Sequence, residues 1–121
     1  MKMQEIKFKG LNHNYSIFIG NNTINLLPRK IKSICPNTKK IALIIDSKIP
    51  SKFKKEIKRK LKNYSLLIMP FSASEKNKSL KKVNFYLNKI ISKNFNRSDL
   101  IISLGGGITG DVSGFVASIF K

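Results

Sequence analysis

The stretch LIISLGGGITGDVSGFVAS, residues 100–118, combines three local signals in a fixed order. Residues 100–104 form a short apolar run of the kind found in strands that are buried on both faces. Three glycines follow at 105–107, which allow positive φ and leave the backbone without side chains that would keep a ligand away. This order of signals therefore predicts a buried strand followed by a turn whose backbone is not covered by side chains.

After the glycines the sequence predicts a helix that starts at about Gly110. Thr109 or Asp111 is a candidate cap for its first turn, because short polar side chains accept hydrogen bonds from the first N–H groups of a helix. A strand, a glycine turn and a helix in this order aim free N–H groups and the positive end of the helix dipole at an anion, and a dinucleotide pyrophosphate is the candidate ligand. The apolar residues at helical spacing are Val112, Phe115, Val116 and Ile119.

Three glycines after a strand do not by themselves identify a phosphate site. Many such clusters are only tight turns, and Ile108 and Asp111 break the G-x-G-x-x-G spacing of the common dinucleotide fingerprint. Other motifs in the chain are needed to decide whether these glycines form only a tight turn or a phosphate-binding turn.

The charge of the chain is strongly positive. It has 24 Lys and Arg against 6 Asp and Glu, a formal net charge of +18, which raises the hypothesis of a basic nucleic-acid-binding module without enzymatic activity. Only Arg29, Arg59 and Arg97 are arginines, whereas nucleic-acid readers rely on arginine for bidentate contacts. The lysines are spread along the whole sequence, so we favour a solvated lysine surface and expect no nucleic-acid partner.

Composition also bears on the cellular compartment. A chain of 121 residues with 41% hydrophobic residues suits one domain with a small core. No apolar run approaches the roughly 20 residues that span a bilayer, and the first nine residues lack the apolar segment of a signal peptide. A single cysteine, Cys35, forms no internal disulfide. We therefore expect a cytoplasmic protein that does not associate with membranes.

Alternating patterns predict an N-terminal β-hairpin from residues 3–9 and 15–19. Ile6 and Phe8 lie on one face of its first strand and Lys7 and Lys9 on the other, as in a half-buried strand. A short helix follows, and Pro28 fits there only if the helix starts near Leu27 or consists of two pieces.

The remainder of the chain alternates between predicted strands and helices. This alternation is typical of an α/β fold with a Rossmann-like parallel sheet that is covered by helices on both faces. Residues 70–74 are expected to form a loop after the second strand. The predicted strands are 41–45, 64–69 and 100–104, and the predicted helices are 50–62 and one with the apolar stripe Leu80, Val83, Leu87 and Ile90.

Ligands of such sheets bind beyond the carboxyl ends of the strands. Asp46, the loop of residues 70–78 and the glycine turn are all expected at that edge. For Asp46 two interpretations stay open: its carboxylate bonds a ribose hydroxyl, or it caps the next helix.

Two motifs together resemble one family. The string from Gly105 to Ala117 has every fixed letter of G-G-G-x-x-G-D-x-x-G-F-x-A, the pattern of the dehydroquinate synthases within the sugar phosphate cyclases. Glu75-x-x-Lys78-Ser-Leu resembles the E-x-x-K-S-L of the same family, which also follows a strand ending in proline, here Pro70. The family has a glycine before that glutamate where this chain has Ser74, so the placement of residues 71–74 is left open.

The resemblance implies that this edge binds NAD. In the family the glycine turn holds the pyrophosphate, the glutamate and lysine lie against the nicotinamide nucleotide, and an acid at the place of Asp46 meets the adenosine ribose. Carried over by position, the cofactor-binding residues are Asp46, Glu75, Lys78, Gly105, Gly106, Gly107, Ile108 and Asp111.

The family's reaction is the conversion of 3-deoxy-D-arabino-heptulosonate 7-phosphate to 3-dehydroquinate and phosphate in the shikimate pathway. It proceeds by oxidation, phosphate elimination, reduction and ring closure, with NAD regenerated in place. Its zinc or cobalt ion is held by one glutamate and two histidines in a second, helical domain, whereas this chain has one histidine, His13. The family members are expected to be homodimers when full length.

The resemblance therefore implies that residues 1–121 are the N-terminal NAD-binding domain, a truncated fragment without the helical metal-binding domain. We expect it to contain no catalytic and no metal-binding residue and to have no activity alone. Two alternatives on the same scaffold are another sugar phosphate cyclase and a polyol dehydrogenase.

Overall fold

The computed structural model describes residues 3–120, which form five strands and four α-helices. The strands are β1 (Gln4–Lys9), β2 (Asn14–Ile19), β3 (Lys40–Asp46), β4 (Ser65–Phe71) and β5 (Leu100–Leu104). The helices are α1 (Leu27–Ile34), α2 (Ser51–Lys60), α3 (Leu80–Ser92) and α4 (Gly107–Phe120). Each helix in this part of the chain is too short or too polar to span a lipid bilayer.

The last three strands form a parallel sheet with the order β4-β3-β5. In the central strand Ile41 lies opposite Leu66 on one side and Leu100 on the other. Residues 41–45 of this strand are almost completely buried, because helices cover both of its faces. The predicted α/β fold with a parallel sheet is confirmed.

Each face of β3 contributes to a separate hydrophobic cluster. The odd positions Ile41, Leu43 and Ile45 pack against α1 and α2, and the even positions Ala42 and Ile44 pack against α3 and α4. This alternation follows from the two-residue period of a strand. The residues that the helices contribute are Ile31, Ile57 and Leu61 on the first face and Val83, Tyr86, Ile90, Val112 and Val116 on the second.

The sequence allowed two arrangements around Pro28, a helix that starts near Leu27 or a helix in two pieces, and the structure combines them. Thr23–Leu26 is a 3₁₀ turn, and α1 begins at Leu27 with the proline in its first turn. A proline is tolerated there because the first N–H groups of a helix have no intrahelical acceptor.

The hairpin is confirmed, but the prediction of a half-buried first strand is wrong, because neither face of β1 is buried. Strands β1 and β2 pair antiparallel from Gln4–Ile19 to Lys9–Asn14 and form a sheet of their own. Ile6 and Phe8 are each 49% exposed. Alternation identified the strand correctly, but no layer among residues 3–120 buries its apolar side chains.

Strand β4 extends further than predicted. It continues through Pro70, which lies opposite Ile45, to the buried Phe71. A proline is compatible with this position because β4 is an edge strand, whose outer side needs no N–H donor. The buried Tyr86 donates its hydroxyl hydrogen to the Pro70 carbonyl oxygen at 2.8 Å, which ties α3 to this end of the strand.

The apolar stripe predicted for α3 is wrong at its first position. Leu80 is 73% exposed, because it is the first helical residue, directly after Ser79. The Ser79 hydroxyl oxygen caps the helix by accepting a hydrogen bond from the Lys82 N–H at 3.3 Å. The buried face of α3 instead includes Tyr86, which the stripe omitted.

Helix α4 starts three residues earlier than predicted. The Gly110 N–H donates to the Gly106 carbonyl oxygen at 3.0 Å, so the helix begins inside the glycine run, and Thr109 and Asp111 lie within it. The prediction that Thr109 or Asp111 caps it is therefore wrong. Phe115 and Ile119, predicted on the apolar stripe, are about half exposed; the buried positions are Thr109, Val112, Ser113 and Val116.

Candidate functional site

Three loops meet at the carboxyl edge of the sheet. The Ser47 N–H, just after β3, donates to the Phe71 carbonyl oxygen at the end of β4, at 2.9 Å. A Cβ placed on Gly105, just after β5, would lie 3.0 Å from the Asp46 Cβ. The structure therefore brings Asp46 and the glycine turn together, as the sequence predicted.

Gly105 is required by the fold itself. Its φ is +158°, and a Cβ on it would lie 2.7 Å from Thr109 Oγ1 and 2.9 Å from Thr109 Cβ. Such distances are too short for any real side chain. The first glycine thus lets the end of β5 pass closely over the first turn of α4.

The other glycines near this turn, unlike Gly105, are not closely packed. A Cβ on Gly106, Gly107 or Gly110 would meet no atom within 4 Å. The fold therefore has room for side chains at these positions, and their absence leaves the helix start accessible from outside.

Free backbone donors lie at this accessible end. Because the first intrahelical bond comes from Gly110, the N–H groups of Gly107, Ile108 and Thr109 have no acceptor within the helix. The Ile108 side chain packs against the core, so only its backbone is available to a ligand. Thr109 is completely buried, so the accessible donors are the N–H groups of Gly107 and Ile108. These two donors and the positive end of a 14-residue helix suit an anion.

The sequence made Thr109 a candidate helix cap, but in the structure it is a buried residue inside α4. Its side chain is completely buried, and its hydroxyl oxygen has no hydrogen-bond partner among residues 3–120. Its carbonyl oxygen accepts a hydrogen bond from the Ser113 hydroxyl at 2.7 Å. The signal was present in the sequence, because Thr109 and Ser113 stand four residues apart, beside Val112 and Val116, on the same helix face.

The carboxylate of Asp46 shapes the loop after β3. Its Oδ1 accepts a hydrogen bond from the Lys48 N–H at 3.0 Å. It does not cap α2, which begins at Ser51 after Pro50 and has no side-chain cap. Of the two interpretations of Asp46, the helix cap is wrong; contact with a ribose stays a prediction.

The loop after β4 is ordered by its own hydrogen bonds. Glu75 begins a 3₁₀ turn, Glu75–Asn77, whose last N–H donates to the Ser74 hydroxyl oxygen at 3.4 Å. The Asn77 side-chain amide donates to the Ser72 carbonyl oxygen at 2.7 Å. These bonds fix the segment that the sequence left open and hold Lys78 at the start of α3.

Lys78 and Asp111 form an ion pair across the site. Lys78 Nζ lies 3.0 Å from Asp111 Oδ2, and both side chains are about half exposed. The hydrogen bond to Asp111 and the charge of that carboxylate raise the pKa of Lys78, and the charge of Glu75 adds to the effect. The two motifs, more than thirty residues apart in sequence, therefore meet in the fold.

This pair stands at the rim of a pocket of about 290 Å³ between the starts of α3 and α4. The pocket wall is apolar below the charges. Its lining residues beside the pair are Ser79, Leu80, Val83, Val112 and Phe115. Among residues 3–120 no three His, Cys, Asp or Glu side chains come together as a metal site.

Known proteins match this chain in sequence. Residues 68–121 match the family model described as 3-dehydroquinate synthase N-terminal. The 3-dehydroquinate synthase of Pelagibacter ubique is 43% identical over 121 residues, which are 100% of this chain and 33% of the relative. That of Streptococcus thermophilus is 34% identical over 108 residues, 88% of this chain and 30% of the relative.

A solved structure matches in fold. A 2-deoxy-scyllo-inosose synthase complexed with carbaglucose-6-phosphate, NAD+ and Co2+ superimposes with a TM-score of 0.79 at 21% identity, over 97% of this chain and 32% of that protein. The resemblance inferred from the two motifs is confirmed by these matches. The chain spans about a third of the length of the relatives it matches.

Proposed function

We propose that this chain, related by sequence to the N-terminal part of the 3-dehydroquinate synthases, is the NAD-binding region of such an enzyme. The observation that carries the proposal is the start of α4, where the free N–H groups of Gly107 and Ile108 lie at an accessible turn, with Asp46 on one side and the Lys78–Asp111 pair on the other. A donor cluster with an acid on one side suits a pyrophosphate with an attached ribose.

Each residue has a role that its chemistry supports. The N–H groups of residues 107 and 108 would hold the pyrophosphate, and the Asp46 carboxylate would accept hydrogen bonds from ribose hydroxyls. Glu75, Lys78 and Asp111 would bind the second nucleotide, with the lysine as a point charge. When bound, NAD supplies a hydride acceptor for the oxidation of an alcohol carbon.

The activity of the whole enzyme is part of the proposal. It is the NAD-dependent conversion of 3-deoxy-D-arabino-heptulosonate 7-phosphate to 3-dehydroquinate and phosphate, in a cytoplasmic homodimer that holds zinc or cobalt outside these residues. The NAD+, Co2+ and sugar phosphate analogue bound by the related fold support this assignment. Residues 1–121 are assigned no catalytic step, so the chain alone is expected to release no phosphate from the substrate.

The experiment is a calorimetric titration of the purified 121-residue chain with NAD. We expect saturable binding, and we expect Gly106→Val to weaken it by about ten-fold or more, because the new side chain covers the free N–H groups. Gly114→Val is the matched control. A Cβ at Gly114 also meets nothing within 4 Å, but this glycine lies two turns further along α4.

Equal NAD affinity of wild type and Gly106→Val would contradict the assignment of the glycine turn. A comparable loss in Gly114→Val would show that both substitutions act on the helix as a whole and not on the ligand. Circular dichroism of all three proteins establishes that the folds are the same.

A further inference from the structure

Tyr86 lies between the hydrophobic core and the candidate site. It is 1% exposed, and its ring packs edge-to-face on the ring of Phe71, with the two centroids 6.1 Å apart. Its hydroxyl donates to the Pro70 carbonyl oxygen at 2.8 Å. A buried tyrosine hydroxyl needs such a partner, because burying it without a hydrogen bond is costly. Tyr86 therefore holds the last two residues of β4 by two different contacts.

This contact closes the loop between β4 and α3. Residues 72–79 leave the sheet directly after Phe71 and end at Ser79, which caps α3. Tyr86 belongs to α3 but is bonded to the end of β4, so it joins the two ends of the loop. Without its hydroxyl, the strand end would keep only apolar contacts with Tyr86, and apolar contacts are not directional.

Two residues assigned to NAD lie in this loop. Glu75 begins the 3₁₀ turn and Lys78 directly follows it. The turn is tied to the start of the loop, because the Asn77 side-chain amide donates to the Ser72 carbonyl oxygen at 2.7 Å. Ser72 stands two residues after Pro70 in the sequence. A displacement of Pro70 relative to α3 would therefore be passed on to the turn that carries both charged residues.

The hydroxyl of Tyr86 has a part that packing alone does not require. A phenylalanine ring would fill the same space in the core, but it would leave the Pro70 carbonyl oxygen without its donor. Burial raises the pKa of Tyr86 above the ordinary tyrosine value of about 10, so the hydroxyl is protonated and able to donate at neutral pH.

We propose that Tyr86 is a positioning residue, whose hydroxyl holds the loop of residues 72–79 so that Glu75 and Lys78 are in place for the second nucleotide of NAD. The inference rests on the proposed function. Asp46 and the glycine turn follow β3 and β5, which the sheet pairs directly with each other. The sites proposed for the adenosine ribose and the pyrophosphate should therefore not depend on this hydroxyl.

The test compares two ligands on one variant. Tyr86→Phe removes only the hydroxyl, and we expect the affinity of the 121-residue chain for NAD, measured by calorimetry, to fall by about three- to ten-fold, as for the loss of one hydrogen bond. ADP contains the adenosine ribose and the pyrophosphate but lacks the second nucleotide, so its affinity should change by less than about two-fold.

Tyr64→Phe is the matched control. It makes the same chemical change at a tyrosine that packs against the hydrophobic cluster on the opposite face of the sheet. Its affinity for NAD and for ADP should equal that of wild type. Asn77→Ala reaches the same loop without touching Tyr86, because it removes the bond to the Ser72 carbonyl oxygen. It should repeat the pattern of Tyr86→Phe, with weaker NAD binding and unchanged ADP binding.

Hydrogen exchange reports on the loop without any ligand. The Asn77 N–H donates within the turn, to the Ser74 carbonyl oxygen at 3.0 Å. Its exchange should be about three- to ten-fold faster in Tyr86→Phe than in wild type, because the loop opens more often. A purely structural role of Tyr86 would leave this rate unchanged, because amides of surface loops exchange through local opening and not through global unfolding.

NAD affinity of Tyr86→Phe equal to that of wild type would overturn the proposal. Equal losses of NAD and ADP affinity would also overturn it, because they indicate damage to the whole site, and so would unchanged NAD binding in Asn77→Ala. If wild type binds neither NAD nor ADP, the proposed function is contradicted. The exchange of Asn77 then decides the role of Tyr86 in the loop, and an unchanged rate in Tyr86→Phe would overturn it.

Discussion

The two ends of the parallel sheet differ in how their polar groups are hydrogen-bonded. At the amino end, Asp99 Oδ1 accepts hydrogen bonds from the Lys39 and Lys40 N–H groups at 3.1 and 2.9 Å, and its Oδ2 accepts one from the Asn96 N–H at 2.9 Å. At the carboxyl end, the N–H groups in the first turn of α4 have no acceptor within the helix. The amino end is closed by hydrogen bonds within the chain, whereas the turn before α4 at the carboxyl end is exposed.

Other side chains add to the closure of the amino end. Lys40 Nζ donates to the Lys93 and Asn94 carbonyl oxygens at 2.8 and 3.0 Å and so satisfies the C-terminus of α3. The Thr38 hydroxyl donates to the Ser98 carbonyl oxygen at 2.7 Å. By contrast, the carboxyl end contains the buried Thr109 hydroxyl, which has no hydrogen-bond partner in the part of the chain that the structure describes. The hydrogen-bonded polar groups of the amino end and these unbonded groups of the carboxyl end are thus separated by the length of the strands.

The largest expected effect on stability concerns Gly105, where the backbone at the carboxyl end is closely packed. Gly105→Ala should lower the free energy of unfolding by about 3 kcal/mol, because its Cβ would overlap Thr109 and the backbone φ disfavours a side chain. Gly106→Ala, at the neighbouring open position, should change it by less than about 0.5 kcal/mol. Urea unfolding of the three proteins measures both values. If both variants lose the same stability, the distinction between a packed and an open glycine is wrong.

The second effect concerns the closed amino end. Asp99→Ala removes the acceptors of three N–H groups and should cost about 1.5 kcal/mol, a value limited by the access of water to these donors. Asp111→Ala, the corresponding change at the open end, should leave the unfolding midpoint close to that of wild type, because its partner is a surface lysine. A larger loss in Asp111→Ala would reverse the proposed division of roles.

The Asp99 contribution should depend on pH. Partial burial raises the pKa of this carboxyl, but the hydrogen bonds from Asn96, Lys40 and Lys39 and the charge of Lys40 outweigh it, so the pKa in the folded protein lies below the ordinary value. A lowered folded-state pKa gives stability that is present above the unfolded-state pKa of about 3.9 and is lost as the pH falls through the folded-state value. The stability difference between wild type and Asp99→Ala should therefore shrink below about pH 4. A constant difference from pH 6 to pH 2 would contradict the role of the ionised carboxylate.

The sequence predicted the sheet and the helix layers because apolar periodicity depends on burial, and residues 41–45 are buried on both faces. The same logic failed for the hairpin, where Ile6 and Phe8 alternate correctly but remain half exposed. Periodicity reports which residues share a face, and it does not report what lies against that face.

The site was predicted in its parts but not in its fine geometry. The motifs placed the glycine turn and Lys78 at one edge, and the fold brings them there. The start of α4 was misplaced because polar side chains were taken as its cap, whereas the first helical bond is made between glycine backbones. The sequence also could not show that Gly105 is the closely packed glycine of the three. Gly105, Gly106 and Gly107 differ only in the atoms that surround them in the folded protein.

The smallest expected effect concerns the ion pair that joins the two motifs. Because the hydrogen bond and charge of Asp111 raise the Lys78 pKa, this pair contributes stability that is present below the ordinary lysine pKa and is lost as the pH rises through the raised value. Asp111→Asn should therefore lower the Lys78 pKa toward the ordinary value, measured by NMR titration of the lysine side chain, with the unfolding midpoint nearly unchanged. Glu75→Gln is the control, since Glu75 contributes less to the Lys78 pKa and should move it less. An unchanged Lys78 pKa in Asp111→Asn would mean that the pair is not formed in solution, and the carboxyl end would then be still more open than the structure shows it.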